Sequence, residues 1–271
     1  MRSEFRTCAL LTMVVVASLT GACSAAIAPP GGPSGTGAAQ TPDQSITTAT
    51  ITASARSARS EGFNPFRDES QTTRPQRVVI EKPTLAEVLQ PGPLDEITVG
   101  RADAPVTVIK YVSPTCPFCR VWQRKVFPPF KKRYLDTGKV RLVLREFPIG
   151  FQSGAATIAI RCARPNRRVA LYTALLNQQA RWVSQDVRRE PIFKIAKRFG
   201  VTRSEFDACY EDKALIAGLK AVKDRGRTLG IIGTPNFFVN ERREKRVLIM
   251  ADLEKLIDPL LAGGSVARAA Q

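Results

Sequence analysis

Two cysteines separated by two residues, in Ser113-Pro114-Thr115-Cys116-Pro117-Phe118-Cys119-Arg120, carry the reactive chemistry of this chain. Such a pair can close a small disulfide ring and open it again, exchanging electrons with other thiols. It follows Val106-Thr-Val-Ile-Lys-Tyr-Val112, an apolar, β-branched run that reads as a buried strand. Beyond it, Val121 to Leu135 carries apolar residues at helical spacing. Cys116 would therefore stand at a helix N-terminus, where free N–H groups and the macrodipole favour a thiolate over a thiol. Pro117 suits the first helical position, because it has no N–H to lose there. Cys119 lies on the same helix face and is placed to resolve a mixed disulfide formed at Cys116.

Composition narrows the remaining chemistry. A chain of 271 residues gives one or two domains with ample material for a core. It has no histidine, which excludes His-based acid–base catalysis and His metal sites. Six cysteines (Cys8, Cys23, Cys116, Cys119, Cys162 and Cys209) are too few for a disulfide-stapled miniprotein. A single Cys-x-x-Cys without a second such pair argues against structural zinc. The net charge of +17 invites nucleic acid as a partner. No finger spacing or aromatic RNA-stacking motif accompanies it, so nucleic acid is not expected.

The N-terminus points out of the cytosol. Arg2 and Arg6 precede an apolar run from Ala9 to Leu19 that is short for a bilayer span, the pattern of an export signal over 1–22. Leu19-Thr-Gly-Ala-Cys23-Ser resembles a bacterial lipoprotein cleavage box, with the leucine one place further from the cysteine than usual. Lipidation of Cys23 would tether the protein to a membrane; the alternative is ordinary cleavage nearby, for example after Ala26. Cys8 is lost with the signal either way. Residues 23–75 are rich in Ala, Ser, Thr, Gly and Pro, and read as a disordered linker that cannot bury enough apolar surface to order itself. Some 50 residues of coil would span on the order of 40 Å.

The folded domain is expected over 76–271. Thr84 to Leu89 suits a short helix and Ile97 to Gly100 a short strand. After Cys119 the helix carries Trp122, Val126, Phe127, Phe130 and Tyr134 inward, with a kink at Pro128-Pro129 and a stop at Gly138. Val140 to Phe147 is a second long strand, and β, α, β at this spacing implies parallel strands. A helical tract follows over about 153–227, with Gly200 as a C-cap and Thr202 with Glu205 as a capping box. Gly233-Thr-Pro-Asn-Phe-Phe-Val-Asn240 then reads as a strand entered through a proline. Arg246 to Met250 is its expected hairpin partner across a charged turn, and Leu253 to Leu261 an amphipathic closing helix.

So placed, the chain resembles the DsbA-like branch of the thioredoxin superfamily. The motifs are Cys116-Pro-Phe-Cys119, Arg145-Glu-Phe-Pro148 followed by Ser153-x-x-Ala-x-x-Ala159, Arg161-Cys162-Ala163, and Gly233-Thr-Pro-Asn-Phe-Phe, within roughly 95–262. The resemblance implies an α/β thioredoxin fold with an inserted helical domain, no cofactor, and thiol–disulfide exchange with unfolded or reduced exported proteins in the periplasm or cell envelope. It also implies reoxidation by a quinone-linked membrane partner. It places Thr234-Pro235 in a loop facing the cysteines, with a cis bond. There the proline offers no N–H and leaves neighbouring backbone free to pair with an extended substrate.

Two residues depart from the family pattern. Phe118 stands where the best-known oxidants carry histidine; a histidinium would favour the Cys116 thiolate and Phe118 cannot, so a less oxidising protein is expected. Lys110, six residues before Cys116, stands where a buried acid usually assists the resolving thiol. Either Lys110 favours a thiolate from beneath the site, or it pairs with Glu146 on the adjacent strand or reaches solvent along its stem. Cys162 and Cys209 both fall in the helical tract. In an oxidising compartment they would form a structural disulfide between two helices; otherwise they are inert buried thiols.

The function expected is a thiol:disulfide oxidoreductase that introduces disulfides into exported proteins. Its rivals are a reductase or isomerase using the same pair, and a non-catalytic basic protein docking on the envelope.

Overall fold

The computed structural model describes residues 78–269, with side chains through residue 263. The expected export signal, the linker and Cys23 lie outside the described residues. A short helix α1 (Leu85–Leu89) is opened by a capping box, with Thr84 and Glu87 satisfying each other's backbone N–H groups. A five-stranded sheet follows, built from β1 (Ile97–Val99), β2 (Val106–Val112), β3 (Val140–Glu146), β4 (Asn236–Val239) and β5 (Arg242–Glu244). Its order is β1-β3-β2-β4-β5. Only the β2–β3 pair is parallel, as the strand–helix–strand spacing requires, and the flanking pairs are antiparallel.

Between β2 and β3 run α2 (Pro117–Lys125), α3 (Phe127–Phe130) and a π-helical turn over Lys131–Leu135. The expected kink is thus a full break at Val126. Pro128 and Pro129 have no N–H to give to a preceding turn, but they fit the first turn of a new helix. The helical tract comprises α4 (Phe151–Cys162), α5 (Pro165–Asn177), α6 (Gln179–Trp182), α7 (Arg189–Ala196), α8 (Arg203–Glu211) and α9 (Lys213–Thr228). Gly200 ends the turn after α7 with a left-handed φ of 86°, and Thr202 and Glu205 form the capping box of α8. The closing helix α10 runs Met250–Ala269.

The hairpin departs from the sequence expectation. β4 pairs with Arg242–Glu244, not with Arg246–Met250. Asn240 takes a positive φ of 50°, so the chain reverses over Asn240-Glu241 and the charged residues form the edge strand themselves. Charge on an edge strand discourages pairing with other chains, whereas Leu248, expected in the strand, is buried in the core.

The sheet separates two apolar layers. Val106, Val108, Val112, Leu142 and Leu144 face α2, the helical tract and α10, with Trp122 at the centre of that layer. Ile109, Tyr111, Val143, Phe147 and Phe238 face the other way, onto Val88, Leu229 and Ile231. Gly226 allows α9 to approach closely on this second side, since a Cβ there would lie 2.7 Å from the Tyr111 ring. The alternation along β2 sends Lys110 to the first side, under the Cys-bearing helix.

Candidate active site

Cys116 and Cys119 stand where β2 ends and α2 begins. Cys116 is the N-cap of α2, and its sulfur accepts the Cys119 backbone N–H at 3.2 Å. The loop before it is held from the helical tract. Ser113 Oγ lies 2.6 Å from Ser153 Oγ, and the Gln179 side-chain amide donates to the Pro114 and Cys116 carbonyls at 2.8 and 3.1 Å. From the opposite side comes the cis Thr234-Pro235 step, whose Thr234 carbonyl lies 3.1 Å from the Cys116 sulfur and accepts a hydrogen bond from it when it is protonated. The structure therefore brings Cys116, Cys119, Thr234 and Pro235 together, with Pro117 in the first turn of α2.

Cys116 is 9% exposed and Cys119 0%. The Cys116 sulfur is thus nearly covered, with the Thr234 carbonyl against it. Its pKa is lowered from the ordinary thiol range to about 6. The Cys119 thiol beside it is the largest cause, opposed by burial and supported by the Thr234 side chain and the N–H groups of Cys119 and Phe118. Burial raises Cys119 well above the usual range. The two sulfurs are therefore unequal, the first favouring the thiolate and the second the thiol. Phe118 points outward, 59% exposed, and makes no ionic contribution at the rim.

Beneath the pair lies Lys110, 0% exposed, with an ammonium nitrogen that makes no hydrogen bond. It sits 3.7 Å from the centre of the Trp122 ring and 5.8 Å from that of Tyr172. Glu146 does not meet it. That carboxylate is bound by Arg161 in a buried ion pair, and Arg161 also donates to the Asp95 backbone at 2.6 Å. Contrary to two of the expected roles, Lys110 therefore neither pairs with Glu146 nor reaches solvent along its stem. On parallel strands Lys110 is level with Leu144, and Glu146 with Val112, which puts the two side chains out of register. Glu146 accordingly belongs to a brace joining β3, α4 and the Asp95 segment, rather than to the tuning of the cysteines.

Cys162 and Cys209 are joined by a disulfide linking α4 to α8. Gln179 and Tyr172 had no signal of their own in the sequence. Gln179 reads as one polar residue among several between two helices, and Tyr172 as part of an apolar stripe. The buried hydroxyl of Tyr172 makes no hydrogen bond, and burial, with the nearby Cys119 second, raises its pKa well above the usual range.

The thioredoxin family model matches residues 94–259. The crystal structure of Wolbachia pipientis alpha-DsbA1 superposes with a TM-score of 0.62 at 26% identity, covering 68% of this chain and 99% of that one. This chain belongs to the DsbA-like branch of the thioredoxin superfamily. A Rickettsia bellii protein provisionally named a protein-disulfide oxidoreductase is 33% identical over 172 residues, covering 61% of this chain and 65% of that relative's length. BdbD from Bacillus subtilis, at 22% identity and a TM-score of 0.56, shares the fold. In the terms of the DsbA-like branch, the helical tract is the inserted domain and the sheet with α2 is the thioredoxin core. No helix among the described residues is long and apolar enough to cross a membrane.

Proposed function

We propose that this chain is a thiol:disulfide oxidoreductase that introduces or exchanges disulfide bonds in exported proteins through Cys116 and Cys119. The observation that carries this reading is the asymmetry of the pair: a sulfur at a helix N-cap with its pKa lowered to about 6, backed by a fully buried thiol. In the oxidised enzyme a substrate thiolate attacks Cys116 and Cys119 leaves, giving a mixed disulfide. A second substrate thiolate displaces Cys116, so the substrate is oxidised and both enzyme cysteines are reduced. A thiolate stabilised at Cys116 favours the reduced enzyme, and so supports oxidation of clients over their reduction. Thr234 and Pro235, at the mouth of the site, are positioned to receive an extended client segment.

The clients are reduced or unfolded proteins of the cell envelope, and a quinone-linked membrane partner reoxidises the pair. The N-terminal segment delivers the domain there, with Cys23 as its lipid anchor. Trapping tests the reading. Cys119→Ala should accumulate envelope proteins disulfide-bonded to Cys116, and Cys116→Ala should accumulate none. Absence of adducts from both variants, with the wild type unable to oxidise a reduced peptide, would overturn it.

A further inference from the structure

A lysine buried without a hydrogen bond is costly as an ammonium unless a negative charge stands near it. Lys110 is such a lysine, and the chemistry of its neighbours changes during turnover. With the cysteines reduced, Cys116 carries a thiolate just above it. With the cysteines joined, that charge is gone, and what remains around the nitrogen is the Trp122 face and the Tyr172 ring. An aromatic face attracts a cation, though by less than burial of an unpaired charge costs.

The titratable groups facing Lys110 are few. From α2 come Cys119 and Cys116, whose negative forms raise its pKa, and from α5 comes Tyr172, whose own ionisation burial drives upward. Its register neighbours on the flanking strands, Leu144 and Phe237, are apolar. Glu146 is neutralised by Arg161.

We propose that Lys110 is the redox-linked proton carrier of this site, an ammonium while the cysteines are a thiolate–thiol pair and a neutral amine once they form a disulfide. The inference rests on the redox reading above and adds a proton to it. A substrate dithiol gives up two electrons and two hydrogens as protons. The electrons open the Cys116–Cys119 bond, one proton ends on Cys119 and the other on Lys110. Cys116 is left as a thiolate with a counter-ion beneath it. No proton need be released to solvent, and closing the disulfide reverses each step. In the reduced state, burial lowers the Lys110 pKa to about 8 against the pull of the two sulfurs, so the ammonium persists at neutral pH. Removing the thiolate removes that opposing pull. Lys110 is thus a positioning residue for charge, acting through the sulfurs rather than on substrate.

The reduction potential of the full chain against a glutathione buffer, from pH 6.5 to 7.5, tests this, with the Cys116 thiolate titrated in parallel. With the glutathione couple's own two-proton pH dependence corrected for, so that potentials stand on the hydrogen scale, each proton taken up with the two electrons changes the half-cell constant tenfold per pH unit, about 30 mV. The wild type should change 100-fold per unit, about 60 mV, and Lys110→Met tenfold, about 30 mV. A wild-type slope of only tenfold overturns the proposal whatever the variant does, which keeps the test valid if the variant misfolds. A 100-fold slope in a variant whose Cys116 is ionised also overturns it. Failure to find any reversible Cys116–Cys119 couple would instead sink the redox reading itself.

Discussion

The side-chain amide of Gln179 donates to the backbone carbonyl of Cys116 at 3.1 Å, so a residue of the helical insertion holds the loop that presents the reactive sulfur. The same amide holds the Pro114 carbonyl at 2.8 Å, and Gln179 is itself buried. Replacing it by leucine of similar size leaves the buried Pro114 carbonyl without a donor, while that of Cys116 keeps the Arg120 backbone N–H, a loss on the order of 1–3 kcal/mol. Chemical denaturation of Gln179→Leu should show that decrease. Unchanged stability would mean that the insertion does not anchor the redox loop.

The pH profile of thiol reactivity follows from the unequal ionisation of the two sulfurs. With Cys116 titrating at about 6, its alkylation rate should rise roughly tenfold per pH unit below that value and level off above about pH 7. Cys119, pushed upward by burial, should stay unmodified across this range. Rate measurements with iodoacetamide, with peptide mapping of the modified cysteine, decide it; a Cys116 midpoint in the ordinary thiol range near 8.5 would mean that Cys119 and the backbone N–H groups do not stabilise the thiolate.

Phe118 sets a rim without charge. In Phe118→His, a histidinium beside Cys116 should lower the thiolate midpoint below that of the wild type and make the protein more oxidising. The side chain is exposed, so the substitution should leave stability within about 0.5 kcal/mol. Thiolate absorbance against pH checks the first claim, and no downward shift would refute it.

Among the described residues, Arg161 is the one cation paired with the Glu146 carboxylate. Arg161→Met removes one member of a buried pair and leaves Glu146 charged in the core, a cost on the order of 3–5 kcal/mol. Adding Glu146→Gln should recover much of it. If the double variant is no more stable than the single one, the loss arises from packing and not from the orphaned charge.

The Cys162–Cys209 disulfide spans 47 residues of sequence. Closing a loop of that length is worth about 4 kcal/mol in the chain-entropy model, an upper figure that measured cases often undershoot. A Cys162→Ala, Cys209→Ala double variant should therefore unfold at lower denaturant while keeping the Cys116 thiolate. Mass mapping of the non-reduced protein should find the 162–209 link, and free thiols at both positions would disprove the pairing.

Local rules made much of this protein readable in advance. The Cys-x-x-Cys between an apolar strand and a helix, the proline at the first helical position, the capping box at Thr202 and the parallel pairing of β2 with β3 depend on neighbours in sequence or on chain handedness. The same rules misread the hairpin, because the positive φ at Asn240 starts the return strand at Arg242, earlier than an apolar pattern suggests. What only the tertiary structure decided is which long polar side chain meets which. Lys110 and Glu146 lie on adjacent strands, yet a register offset of two residues, about 7 Å along the strand, gives Glu146 to Arg161 and leaves Lys110 against an indole. A side chain's ionic partner is set by that offset and by which helix covers the face, and neither distance is written in the order of residues along the chain.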